Sequence, residues 1–149
     1  MNYMIEAIRL LNECDKKEIP VSAVIIKDGK MISTGINSKE KDCDITSHAE
    51  IIAIKKAEKI LNNWRLDDCE MYVTLEPCPM CAWAIINARI KTVYFGSYDN
   101  LYGALGSKLD LRKIANSKLK VYGGIEQELC DNILDKYFKN LRNNNENSQ

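Results

Sequence analysis

One histidine, His48, is all that this 149-residue sequence contains, and its charges cancel at 21 basic against 21 acidic side chains. A balanced chain has no overall field drawing it to nucleic acid, so any affinity for RNA must come from a local patch. No apolar run approaches the roughly eighteen residues that a membrane span needs, and the stretch MNYMIEAIRLLNECDKKE is acidic where a secretion signal would be basic and then apolar. A cytoplasmic protein with no membrane partner is expected. Internal repeats and linkers are lacking too. The length fits one domain, expected over residues 1–142, with 143–149 as a polar flexible tail. Cysteine occurs six times, but Cys14, Cys43, Cys69 and Cys130 follow no repeating spacing, which argues for reduced thiols rather than a disulfide framework.

The residues that are present fall into clear periods. Met4, Ala7, Ile8, Leu11 and Cys14 share one helical stripe. The β-branched runs VSAVIIK and KMISTGI are joined by Asp28-Gly29, a pair that tolerates the backbone angles of a tight hairpin, so they should pair antiparallel. DITSHAEIIAIKKAEKILNN reads as a helix with Ser47 as its N-cap and His48 in its first turn. EMYVTLE, PMCAWAIINARI and KTVYFG form a strand-helix-strand unit, its helix opened by Pro79, of the kind that sets two strands parallel. SYDNLYGALGSKLDLRK reads as loop with a short helix, KLKVYGG as a last strand and EQELCDNILDKYFKNLR as a last helix. The order α-β-β-α-β-α-β-β-α predicts the α/β class, a three-layer α/β/α sandwich around a mixed sheet of about five strands.

Chemistry concentrates at two helix starts. Catalytic zinc is held by three protein groups so that a fourth tetrahedral position can take water, and one histidine with two cysteines is such a set. Cys78 and Cys81 begin one helix, whose positive end favours thiolates, and His48 begins another. Glu50 is then free to move a proton for the activated water. Plainer readings stand beside this one. Ser47-x-x-Glu50 matches a capping box, and C-x-x-C could be a redox pair or half of a structural zinc knot, with Cys43 as a candidate fourth ligand.

H-x-E followed by P-C-x-x-C is the signature by which zinc-dependent base deaminases are recognised. With IPVSAV, GIN, HAE, YVTLEPCPMCAWA, VYFGSYDNLYGALGS and YFKNLR, the chain resembles the tRNA-specific adenosine deaminases of the TadA type, within the cytidine deaminase-like superfamily. The resemblance implies a cytidine deaminase-like fold, one Zn2+ per subunit on His48, Cys78 and Cys81, and Glu50 as proton shuttle. It implies hydrolysis of adenosine to inosine at the wobble position of a tRNA anticodon stem-loop, and a homodimer. By the same resemblance Ile19 lines the base pocket, the Ala23 backbone meets the base edge, Asn37 contacts the flipped nucleoside, and Pro77 belongs to the substrate site. Asp99 lies beside bound RNA, and Phe138 and Arg142 lie on a terminal helix closing over the anticodon loop. Trp83 and Ser22 replace glycines usual in the family, and Tyr98 and Leu101 stand where basic residues are frequent, which thins positive charge near the RNA. The same zinc chemistry on a free base or nucleoside, guanine or cytosine, is the alternative substrate reading. A zinc-stabilised binding module is the non-enzymatic one, disfavoured because Glu50 is kept.

Overall fold

The computed structural model describes residues 1–147. Five strands form one sheet in the order β2-β1-β3-β4-β5, namely β1 Ser22–Lys27, β2 Lys30–Ile36, β3 Cys69–Leu75, β4 Thr92–Ser97 and β5 Lys120–Tyr122. The β1–β2 hairpin turns on Asp28 and Gly29, both at positive φ (50° and 73°), as an Asp-Gly tight turn requires. β1 pairs antiparallel with β3, whereas β3–β4 and β4–β5 are parallel. The expected α/β class and the mixed five-stranded sheet are therefore found.

Alternation along the strands builds the layers. On β1, Ala23 and Ile25 face one core and Val24 and Ile26 the other. The larger core takes α3 (Ala49–Leu61) and α4 (Pro79–Asn87) through Ala49, Ala53, Ala57, Ala82 and Ile85, with α5 (Leu111–Ala115) at its margin. On the opposite face α1 (Tyr3–Leu10) and α6 (Gln127–Asn147) contribute Met4, Ala7 and Cys130. Tyr72, Tyr94 and Tyr122 stack across three neighbouring strands on that second face, with centroids 4.4 and 5.4 Å apart. Burying apolar side chains on both sheet faces is what makes three layers necessary.

Several boundaries differ from those expected. The first helix gives way at Leu11 to a single 3-10 turn, so Leu11 and Cys14 leave the helical stripe. A four-residue helix, α2 (Lys39–Asp42), occupies a stretch with no apolar period to announce it. α3 begins at Ala49 with His48 as N-cap, not Ser47, and the His48 side chain makes no capping hydrogen bond. Ser47 stands one residue outside the helix, so the capping box does not form. α6 continues to Asn147, through most of the tail expected to be flexible; the last two positions of that tail lie outside the described residues.

Candidate zinc site and substrate pocket

Two helix starts meet at the carboxyl ends of the parallel strands β3 and β4, the crevice where open α/β sheets bind ligands. His48 caps α3, Cys78 caps α4 with Pro79 at its first helical position, and Cys81 follows in the first turn of α4. Glycine at position 35 makes this approach possible, because a Cβ there would collide with the Ala49 carbonyl at the start of α3. β2 thereby sets the depth at which His48 enters.

The His48 Nδ1 atom lies 3.7 Å from Cys78 Sγ and 3.5 Å from Cys81 Sγ. A zinc tetrahedron with Zn–S near 2.3 Å and Zn–N near 2.05 Å has an N–S edge of about 3.6 Å. All three ligand atoms fall within 4.8 Å of one another, and they form the only such His/Cys/Asp/Glu group among the described residues. The donors and their spacing fit one zinc per chain. Cys43, the candidate fourth ligand, is exposed and its Sγ lies 3.6 Å from the Glu40 carbonyl, outside this group.

Electrostatics divide the cluster's protons unevenly. The hydrogen bond with Cys81 brings the Cys78 thiol down to about 4, with burial opposing and His48 assisting. That same bond and burial push the Cys81 thiol up, and the bond to Cys78 raises His48. Glu50, one residue into α3 and 4% exposed, has its carboxyl pushed up to about 7 by burial. A carboxyl poised near neutral pH can both accept and return a proton.

A cavity of about 280 Å³ opens on this cluster. Of the residues expected around a substrate, Ile19, Asn37 and Asp99 line it, together with His48, Glu50 and Cys78. The others do not line it. Ala23 is buried mid-sheet between Gly35 and Val73, and Pro77 is buried with its carbonyl accepting from Ala104 N–H at 2.9 Å. Phe138 and Arg142 stay on α6, where Phe138 packs edge-on against Tyr137. Trp83 is 46% exposed on α4 and forms no part of the cavity wall.

Residues 1–97 match the family model of the cytidine and deoxycytidylate deaminase zinc-binding region. The chain belongs to that family. A curated relative, the tRNA-specific adenosine deaminase of Bacillus subtilis (strain 168), is 37% identical over 143 residues, spanning 94% of this chain and 89% of the relative. A solved structure from studies of A-to-I editing by tRNA:A34 deaminases at the wobble position of transfer RNA aligns at TM-score 0.75 and 35% identity, over 89% of this chain and 96% of that one. Guanine deaminase from Bacillus subtilis matches at 42% identity and TM-score 0.61 over 64% of this chain and 62% of its own.

Five residues around the site, Glu76, Gly103, Glu18, Lys39 and Tyr102, are not among those the sequence singled out. Glu76, 2% exposed, accepts hydrogen bonds from Asp99 N–H (3.1 Å), Leu105 N–H (3.2 Å), Ser107 N–H (3.0 Å) and the Ser107 hydroxyl (2.5 Å). It anchors the whole loop that carries Asp99. Gly103 is required beside it, since a Cβ there would strike the Glu76 carboxylate. Glu18, also buried, accepts from the N–H groups of Glu40 and Lys41 at 2.9 Å each and so caps α2 from more than twenty residues away. Lys39 and Tyr102 complete the cavity mouth.

Proposed function

We propose that this chain hydrolytically deaminates adenosine to inosine in an RNA loop, the wobble position of a tRNA anticodon being the target. The observation that carries the reading is Glu50, buried beside the His48–Cys78–Cys81 cluster at a cavity near the lower end of ligand-pocket volumes, suited to a single base or nucleoside. The choice of tRNA rests on the curated relative and on the solved tRNA:A34 deaminase structure. Zinc bound by the three ligands would supply Lewis acidity that makes water nucleophilic near neutral pH. Glu50 takes a proton from the water as oxygen bonds to C6, then delivers it to the departing nitrogen, so that water enters and ammonia leaves. Asn37 and Ile19 would orient the extruded base, and Asp99 would lie beside the bound RNA. Unstacking a loop base costs less than opening a duplex, which suits an anticodon loop. Phe138 and Arg142 on α6 would approach only the outer part of a bound stem-loop. We further assign the protein to the cytoplasm, where tRNA is available and its cysteines stay reduced, and to a homodimer.

Deamination of a free purine is the second reading, favoured by the likeness to guanine deaminase. Mass spectrometry of products from an anticodon stem-loop, adenosine, guanine and cytosine, offered separately to the zinc-loaded protein, decides between them. Inosine formed in the stem-loop fastest of all is expected. Guanine or cytosine turned over far faster than any RNA overturns the proposal.

A further inference from the structure

Two residues at the cavity mouth have chemistry that catalysis leaves unused. Tyr102 lines the cavity and is nonetheless 66% exposed, and no ring contact or hydroxyl hydrogen bond holds its side chain among the described residues. Its backbone, by contrast, is fixed. The Asp99 carboxylate accepts from the N–H groups of Leu101 and Tyr102 at 3.0 Å each, Gly103 N–H donates to the Asp99 carbonyl at 2.8 Å, and Glu76 clamps both flanks of the loop. Lys39 reaches the same mouth from the start of α2, which Glu18 holds in place. Among the described residues its ammonium pairs with one carboxylate, that of exposed Glu40 at 3.7 Å.

A cavity of about 280 Å³ admits one base, so the neighbouring nucleotide must rest outside, at the rim. A π-face on a rigid backbone and a lysine on a separate element are the two parts that single-strand binding combines. We propose that Tyr102 is a stacking platform for a base adjoining the target adenosine and that Lys39 holds a phosphate of that same strand. Together they determine specificity for a loop rather than a free nucleoside. This inference rests on the RNA reading above. It also gives the rim a sense: where a basic loop would bind phosphate alone, this loop carries Tyr98, Leu101 and Tyr102 and trades charge for stacking.

The test is a double-mutant cycle on zinc-loaded protein, using an anticodon stem-loop and the same stem-loop made abasic on each flank of the target in turn. For the wild type, removing the stacked base should lower kcat/KM about ten-fold, the scale of one base on one aromatic ring. Tyr102→Ala should lose about ten-fold on the intact stem-loop and nothing further on the abasic one, while Tyr102→Phe keeps the wild-type pattern. Lys39→Ala should instead reduce the slope of log KM against log salt by about 0.7, one single-strand phosphate contact. Equal losses in wild type and Tyr102→Ala on both abasic substrates, or an unchanged salt slope in Lys39→Ala, overturn the corresponding half. A wild type inert on the stem-loop overturns the RNA reading and this inference together. Activity with no coupling overturns this inference alone.

Discussion

Replacing Glu76 by glutamine keeps its shape and exchanges one acceptor for a donor, which makes the consequence calculable. One carboxylate oxygen accepts from Asp99 N–H and the Ser107 hydroxyl, the other from Leu105 N–H and Ser107 N–H. A glutamine amide placed on the first side faces one N–H that cannot turn away and one hydroxyl that can reverse its role. On the second side it faces two N–H groups. The better choice therefore strands one buried donor and weakens the remaining bonds from charge-assisted to neutral, a loss of about 2–4 kcal/mol. Glu76→Ala removes every acceptor and should cost more, on the order of 4 kcal/mol or above. Urea denaturation of zinc-loaded proteins measures both, and amide hydrogen exchange at Leu105 and Ser107 locates the damage. The chemistry at the metal should suffer less than substrate affinity, because the loop holds Asp99 and Tyr102 but none of the three ligands. A Glu76→Gln protein within about 0.5 kcal/mol of wild type with unaltered exchange would refute the anchoring argument.

Other perturbations test separate parts of the molecule. Purified protein should carry about one zinc per chain, and His48→Ala or Cys78→Ser should abolish it, as elemental analysis will show; full occupancy in both would refute the ligand set. Glu50→Gln should keep its zinc and lose deamination at least about a hundred-fold, whereas loss of zinc with full activity in the residual protein would reassign Glu50 to a structural role. Burial pushes the Cys130 thiol from an ordinary 9 up to about 11. The folded state therefore holds that proton more tightly, and the resulting stability, complete below pH 9, declines as pH rises toward 11. About 1 kcal/mol should be lost between pH 8 and 10 in wild type and not in Cys130→Ala, measured by urea midpoints. Gly35→Ala should destabilise by about 1–3 kcal/mol and weaken zinc retention, since the colliding atoms are backbone of the helix that presents His48.

Local rules made the sheet and the metal ligands legible in advance. The β-branched runs VSAVIIK and KMISTGI, with Asp28-Gly29 between them, announced the antiparallel hairpin, and His48, Cys78 and Cys81 are residue types whose joint spacing has few other uses. The rim of the pocket obeys longer-range rules. Glu76 finds its partners at Asp99, Leu105 and Ser107, and Glu18 finds its own at Glu40 and Lys41; hydrogen bonds across twenty to thirty residues leave no period in a sequence. Helix α2 is capped by the two Glu18 bonds, a link that no local pattern announces. The shift of the N-cap from Ser47 to His48 is a single-residue matter, finer than a propensity pattern resolves. Asparagine is a weak helix former, so the continuation of α6 through 143–147 ran against the composition of that segment.

Three of the four bonds that Glu76 accepts come from main-chain N–H groups, which every residue but proline supplies. The side chains at positions 100, 101 and 102 are consequently free to drift under mutation while the loop keeps its course. Below them none of the three ligands lies in the loop itself, since His48 begins α3 and Cys78 and Cys81 begin α4. Inheritance can thus rewrite what the rim greets without touching the reaction underneath, and a library confined to those three positions offers the shortest route to a new substrate from this scaffold.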